Sequence, residues 1–467
     1  MTASSLLPGA LCLRILMVVL LCCGMGYASP GEAGTVPRLV FAHYMVCCPR
    51  DGHDATVDQL KQEIRDAQQR KIDGFVLNIG SWFQEKNYRK VTERMFAAAD
   101  QLGSGFLLMF SPDNLSVEET VDFIKSFGKA KSYYRLDGKP VVSSYGGDPK
   151  WAAAVRARLK ATDIVLVPYW YYAHADLLIR IGPSDRAAYR IFDKALRDAP
   201  DLDGYFDFGA ADTPKNLAAS IRSISQKLKS VGKISMVGVA PYYKGFGRNS
   251  RVFEFQGFAG MADQWRAAIE SGADWVEIVT WNDWGEATYV APFGRPTDQD
   301  VWDFHWGPLL AHDTYLDASA YYIDWFKSGA KPVIACNRIF YFYRLHPKGE
   351  TALVDPATGA TGRPDGWETL DDRIFITAFL DHPLLAAVSV GETTTKVDLP
   401  QGVSHVAVPM RLGGVEIEAR DDGRVVARKP LEFAIGADAT KGNFNYFAGE
   451  LEVDRGPSES QCRAPDR

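Results

Sequence analysis

The sequence predicts an α/β fold, a TIM (β/α)8 barrel followed by a C-terminal β-sandwich accessory domain. Three observations predict it. Short, nearly continuous apolar runs alternate with amphipathic stretches between residues 38 and 330, as parallel strands buried on both faces alternate with helices. The alternation repeats eight times, and a doubly wound sheet of that size needs a switch point that the pattern does not offer. From Lys331 onward the texture changes to short alternating strands broken by Gly, Pro and Asp.

The expected barrel strands are Leu39–Val46, Gly74–Ile79, Phe106–Phe110, Pro140–Ser144, Ile164–Pro168, Gly204–Phe208, Ser235–Ala240 and Trp275–Trp281. Helical patterns fill the intervals at Val57–Gln69, Tyr88–Leu102, Val117–Phe127, Trp151–Ala161, Asp185–Ala199, Asn216–Val231 and Ala259–Ser271. Several open on a capping residue or Pro, and Gly103, Gly232 and Gly272 stand where helices should stop. Beyond Tyr321–Lys327, accessory strands are expected at Arg338–Leu345, Asp372–Leu380, Ala386–Val390, Thr394–Leu399, Gly402–Met410, Gly414–Arg420 and Val425–Leu431. The domains therefore read as a signal peptide over 1–28, a barrel over 37–330, a sandwich over 331–440 and a loose tail over 441–467.

At the N-terminus, Arg14 precedes the apolar run Ile15–Cys23, and Gly26 and Ala28 are the small residues a signal peptidase requires. The run is short for a membrane span, so secretion is expected ahead of a retained anchor. Cleavage removes Cys12, Cys22 and Cys23 and leaves Cys47, Cys48, Cys336 and Cys462, an even number that permits two disulfides. Adjacent Cys47 and Cys48 are expected not to bridge each other, which makes either one to Cys336 the plausible staple. No CxxC or HxxxH spacing offers a metal site, and no metal or organic cofactor is expected. A formal net charge of -6 without a basic run argues against nucleic acid and suits a neutral polysaccharide. No protein partner is expected, and the chain reads as a monomer.

In a barrel of this kind the chemistry gathers on loops after the strands. His43 and Tyr44 lie in the first strand, Asn78 and Trp82 close or follow the second, and Asp113 with Asn114 follows the third. Tyr145 follows the fourth strand, Tyr169, Trp170 and Tyr171 the fifth, and Asp207 lies at the end of the sixth. Tyr242 and Tyr243 follow the seventh, and the eighth empties into Trp281, Asn282, Asp283 and Glu286. Indole and phenol rings stack on sugar faces, while a carboxylate pair moves protons and steadies an oxocarbenium-like transition state. Asp283 and Glu286 are the leading catalytic candidates, with Trp281, Trp284 and Tyr289 expected to desolvate one of them. The bland alternative makes Asp283 a turn cap and Glu286 the partner of an Arg. His43 could serve a sugar hydroxyl or the barrel core, and Asp113 the site or an Asx-turn. Asp73 and Asp203 precede strands and belong to the stability face, His312 reads as structural, and Gly245–Arg248 reads as a cleft loop. Asn114-Leu-Ser116 fits a glycosylation acceptor but would sit in the cleft.

Four segments in order, Phe41–Val46, Ile72–Gly80, Phe110–Asp113 and Val276–Glu286, resemble glycoside hydrolase family 71, the endo-α-1,3-glucanases or mutanases. Ile339–Lys348 resembles the start of that family's β-domain, so the likeness runs from residue 38 to about 435. It implies secreted, endo-acting, inverting hydrolysis of α-1,3-glucan by a barrel plus sandwich, with the acidic pair falling on Asp283 and Glu286. Glu286 is then the favoured acid and Asp283 the base, and His43, Tyr44, Asn78, Trp82, Asp113, Tyr145, Trp170, Tyr242, Trp281 and Asn282 the expected sugar contacts. The sequence departs from the family where Cys47-Cys48-Pro49 replaces Gly-Asn after the first motif, which leaves the first loop's geometry open. A barrel glycosidase acting on another α-glycan such as α-mannan, or an inactive glycan-binding protein, remains the alternative.

Overall fold

A parallel sheet frames the chain, and its strands take the apolar runs in order. They are β1 (Leu39–Met45), β2 (Gly74–Ile79), β3 (Leu107–Pro112), β4 (Arg135–Leu136), β5 (Lys139–Val142), β6 (Val165–Leu166), β7 (Gly204–Asp207), β8 (Ile234–Val239) and β9 (Trp275–Ile278). The spatial order is β4-β5-β3-β2-β1-β9-β8-β7, with β6 paired to β5, and all pairs are parallel except β4 with β5. Between β6 and β7 the Phe206 N–H donates to Pro168 O at 3.0 Å. The antiparallel β4–β5 hairpin is not expected from the sequence. Its turn is Asp137-Gly138, both at positive φ, the geometry that suits the twist of a two-residue hairpin. This computed structural model describes residues 36–160, 163–170, 196–245, 249–293, 309–350, 353–354, 361–437 and 444–453. The expected signal peptide, most of the expected helix Asp185–Ala199, Tyr171, His305 and residues 246–248 of the expected cleft loop lie outside them.

Seven helices are described: α1 (Val57–Gln69), α2 (Lys86–Leu102), α3 (Val117–Phe127), α4 (Pro149–Arg158), α5 (Pro214–Ser230), α6 (Ala259–Ser271) and α7 (Asp313–Ser328). Their starts are written locally. Thr56 with Gln59, and Ser116 with Glu119, form capping boxes, while Asp148 and Thr213 cap helices that open on Pro. Gly272 ends α6 at φ 70, a left-handed conformation that a β-carbon would strain. None of the described helices is long and apolar enough to cross a membrane.

At the N-terminal end of the sheet one device recurs. Asp73, Asp203 and Asp274 each stand just before a strand and accept the backbone N–H of the neighbouring strand's start: Val40 at 2.8 Å, Leu166 at 2.8 Å and Ser235 at 2.9 Å. Lys327 bonds Asp73 at 2.7 Å and Arg156 bonds Asp203 at 2.7 Å. The first two therefore act as the sequence reading expects of the stability face.

The accessory region begins with β10 (Arg338–Arg344), followed by the short β11 (Leu353–Val354) and β12 (Thr361–Gly362). Then come β13 (Arg373–Leu380), β14 (Leu384–Val390), β15 (Thr393–Leu399), β16 (Gly402–Pro409), β17 (Val415–Asp421), β18 (Arg424–Pro430) and β19 (Tyr446–Leu451). Two four-stranded antiparallel sheets, β16-β13-β10-β19 and β15-β14-β17-β18, share one apolar core of alternating residues such as Ile339, Tyr341, Ile376, Val388 and Ile417. The intervening residues of β10 face the other way: Phe342 packs on Phe258 and on Tyr315 of α7. With both faces of this sheet buried, residues from Pro37 onward group as one compact unit.

Two expectations are corrected here. The expected loose tail contains β19, which is buried along its length and pairs with β10, because Tyr446, Phe447 and Leu451 complete the apolar layers. Cys47 and Cys48 are joined to each other, and Cys336 is disulfide-bonded elsewhere, so no staple links them. The two adjacent cysteines occupy a tight turn in which Cys48 N–H donates to Met45 O at 3.0 Å, and the turn brings their side chains together.

Candidate active site

The loop after β9 is a closed excursion pinned at its base. Thr280 N–H donates to Thr288 O at 3.0 Å and their hydroxyls bond at 3.0 Å, while Trp281 N–H donates to His43 O at 2.7 Å. Inside the excursion Asp283 Oδ1 accepts the Glu286 N–H at 3.0 Å, so Asp283 does cap a turn, as the bland reading has it. Its other oxygen is not consumed by that cap. Glu286 reaches to the end of β8, where Tyr243 O–H donates to its Oε1 at 2.9 Å and the Asn249 amide approaches at 3.4 Å. Among the described residues neither carboxylate has a Lys or Arg within 4.0 Å. Arg251 lies over the Tyr243 ring at 5.7 Å and bears on Glu286 only through its field.

Burial is the main force on both carboxyls. It pushes Glu286 up to about 8, helped by the nearby charge of Asp283. Burial also raises Asp283, opposed by N–H groups of Glu286 and Gly285 and by His43. The two differ in what stabilises their ionised forms: Asp283 has two backbone donors, whereas Glu286 has one phenol and a distant amide. Burial and the charge of Asp283 together therefore favour the protonated form of Glu286.

Beside this pair the sheet presents His43, Asn78 and Asp113. Asn78, opposite Met45 in the β1–β2 register, donates to Asp113, and Asn114 Nδ2 donates to Asp113 Oδ1 at 2.9 Å. Burial raises the Asp113 carboxyl, and His43 lies near enough to act on Asp113 and Asp283 alike. The imidazole is buried, with Nδ1 hydrogen-bonded to Glu277 and its ring edge-on to Phe208 at 5.2 Å. Tyr145 joins Phe208 at 4.9 Å and Tyr169 at 5.4 Å to make a partly open aromatic wall.

Six expected sugar contacts lie elsewhere. Tyr44 and Trp281 point out of the sheet toward α1, where Tyr44 O–H and Trp281 Nε1–H hold the two oxygens of buried Glu63 at 3.1 and 2.8 Å. Trp82 is buried against Phe123, bonds Asp122 at 2.8 Å and is covered by Arg89 at 5.0 Å. Trp170 is fully buried against Tyr205. Tyr242 is buried beside Tyr446 and donates to Phe444 O at 2.6 Å. Asn282 is buried with its amide committed to the Met45 and Cys48 backbone. The physical reason is common to all: rings and amides near strand ends are used to bind sheet, helices and β-domain together, so they offer no face to a ligand. Trp284 is nearly buried too, packed at a tilt against Tyr289 with ring centroids 5.1 Å apart. Asp207 turns toward α5, accepts from Ser220 at 2.9 Å and is raised by burial to about 6. His312 is structural, bonded to the Tyr289 and Tyr446 carbonyls and lowered by burial to about 4.

Sequence reasoning missed Glu277, Phe208, Asn249 and Arg251. Glu277 had a signal, since a charged residue inside a fully buried parallel strand is anomalous unless something holds it. The others had none, because loop residues reach the site only through tertiary folding. Among the described residues no cluster of three or more His, Cys, Asp or Glu side chains could hold a metal ion.

Comparison with known proteins gives this geometry a context. The chain is 27% identical to the glucan endo-1,3-alpha-glucosidase agn1 of Schizosaccharomyces pombe, covering 89% of this chain and 95% of that one. It is 24% identical to a mutanase of Penicillium rubens, over 91% and 92% of the two chains. Among solved structures it is similar to a GH99 endo-alpha-mannosidase from Bacteroides thetaiotaomicron, with a TM-score of 0.48, 16% identity, and 63% and 98% coverage. The family model described as glycosyl hydrolase family 71 matches residues 36–461, and with that span the chain belongs to the family and is a glycoside hydrolase.

Proposed function

We propose that this protein is a secreted, endo-acting hydrolase of α-1,3-glucan that inverts configuration, working as a monomer on a closed (β/α)8 barrel without a protein partner. One observation carries the reading: Asp283 and Glu286 share a loop at the C-terminal end of the sheet, neither is paired with a cation among the described residues, and burial pushes Glu286 up to about 8. Glu286 then gives its proton to the glycosidic oxygen, and the leaving sugar departs as the oxocarbenium-like state forms. Asp283, kept ionised by backbone N–H groups, takes a proton from the water that attacks the opposite face. Inversion asks for carboxyl groups about 6.5–9.5 Å apart, leaving room for that water. Asn78, Asp113 and His43 supply hydrogen bonds to sugar hydroxyls, and Tyr145 offers a ring beside Phe208. The names of the relatives, a glucan endo-1,3-alpha-glucosidase and a mutanase, support the choice of polymer.

The test is reducing-sugar release from insoluble α-1,3-glucan, α-1,4-glucan, β-1,3-glucan and α-mannan by the secreted protein. Release from α-1,3-glucan, with oligosaccharides among the early products, is expected. Release from mannan alone would transfer the activity to another α-glycan. Binding to these polymers with no release from any would leave a glycan-binding protein.

A further inference from the structure

The turn that carries Asp283 and Glu286 leans on the first loop through the two residues that flank Asp283. On one side Asn282 Oδ1 accepts the Met45 N–H at 2.7 Å, and Asn282 Nδ2 donates to Met45 O at 3.0 Å and to Cys48 O at 2.7 Å. On the other side Trp284 Nε1 donates to the same Cys48 carbonyl at 3.0 Å. A single carbonyl oxygen thus receives side-chain donors from both neighbours of Asp283. That carbonyl stands on the Cys48 Cα, and the bond between Cys47 and Cys48 fixes this atom, because joining adjacent side chains closes a small ring that contains both Cα atoms and the peptide group between them. Neither residue can then rotate alone. The ring is held from behind as well: His53 Nε2–H donates to Cys47 O at 2.7 Å, and Asn87 of α2 donates to His53 Nδ1 at 2.9 Å.

We propose that the Cys47–Cys48 disulfide is a positioning element of the reaction, holding the Cys48 Cα from which this carbonyl extends, so that Asn282 and Trp284 hold Asp283 in register with Glu286. The proposal rests on the reading of Asp283 and Glu286 as the catalytic pair. The chain of contacts runs from α2 through His53, the disulfide ring and two buried donors to the turn, and every link in it is a hydrogen bond or a covalent bond. Opening the ring frees the Cys47–Cys48 peptide to turn and the Cys48 Cα to shift; the carbonyl on that Cα shifts with it, and the Asn282 and Trp284 donors either follow it or lose their acceptor. Both outcomes displace Asp283. Because misplacement of a reacting group by about 1 Å costs up to about a hundredfold in rate, a loosened turn shows in kcat before it shows in binding.

The experiment compares the full-length protein with the Cys47→Ser/Cys48→Ser double variant. Three quantities are read: kcat and KM on α-1,3-glucan, the melting temperature, and hydrogen–deuterium exchange in the peptide spanning residues 281–287. Expected are a kcat lower by about tenfold, a KM within about twofold and faster exchange in that peptide. A kcat and an exchange rate equal to those of the wild type overturn the proposal. Trp284→Phe, which removes one donor to the same carbonyl inside an intact ring, provides a second route if the serine pair folds poorly. It should give a smaller loss with the same split, and a loss confined to KM counts against the proposal. If the wild type releases no sugar from α-1,3-glucan, the proposed function fails, and the exchange comparison still decides whether the disulfide holds the turn.

Discussion

At the N-terminal end of the strands, Asp73, Asp203 and Asp274 are consumed by structure. Each accepts a backbone N–H from the start of the neighbouring, preceding strand, and Asp73 and Asp203 are also paired with a cation. At the C-terminal end, Asp113, Asp283 and Glu286 accept from neutral donors, and burial raises all three. The residue type is the same and the inventory of partners is not. A carboxylate bonded to a strand start and a cation has its oxygens committed to the scaffold, whereas burial among phenols, amides and a histidine favours the protonated form. The difference teaches that position relative to strand direction, more than acidity, separates scaffold from chemistry in this sheet.

The largest effects should fall at the C-terminal end. Asp283→Asn and Glu286→Gln are each expected to lower the rate of α-1,3-glucan hydrolysis by at least about a hundredfold, with no loss of melting temperature. Asp203→Ala should do the reverse. It leaves the Leu166 N–H without its acceptor and Arg156 without its carboxylate, so stability should drop by about 1–3 kcal/mol in urea unfolding while kcat changes by less than about twofold. A large rate loss in Asp203→Ala at full occupancy of the folded state would erase the contrast between the two ends.

The pH response sharpens it further. Glu286 titrates at about 8 in the folded protein against 4.5 for an ordinary glutamate, so the folded state binds this proton more tightly than the unfolded one. Its favourable contribution is fully present below pH 4.5 and is lost as pH rises toward 8. Glu286→Gln should therefore gain stability relative to the wild type across that window, read as melting temperature against pH. In the wild type, kcat/KM should fall as pH passes 8, where the acid loses its proton. A smaller effect is expected from Tyr243→Phe. The phenol steadies ionised Glu286, so its loss should move that alkaline limb to higher pH and change the rate at neutral pH only a few fold, about 2- to 5-fold. Smallest of all, Trp82→Phe should leave KM unchanged, because this indole is buried against α3 and covered by Arg89.

Most of the scaffold was legible because it is written in local patterns. Helices α1, α3 and α6 begin and end where capping residues and Gly272 put them, and β2 matches its apolar run at both ends. The site was legible only as far as strand direction reaches. That logic brought Asp283, Glu286, Asn78, Asp113 and His43 to one rim, yet it could not say on which side of the sheet a ring would turn. Tyr44 is adjacent to His43 in sequence and faces α1, as alternation along a strand requires, and Trp281 follows it to the same buried Glu63. The Cys47–Cys48 bond was rejected on general geometry, and the turn that accommodates it depends on contacts with Asn282 and Trp284 far along the chain. β19 was hidden because its partner β10 lies about a hundred residues upstream, and pairing of that kind leaves no local trace.

The central claim is that Glu286 and Asp283 work on opposite faces of one glucosidic bond with a water between them. Proton NMR of the products, recorded within the first minutes of α-1,3-glucan cleavage, tests it most directly. The β-anomer should appear first and mutarotate afterwards. Initial release of the α-anomer would require a covalent sugar–enzyme intermediate and would contradict the account.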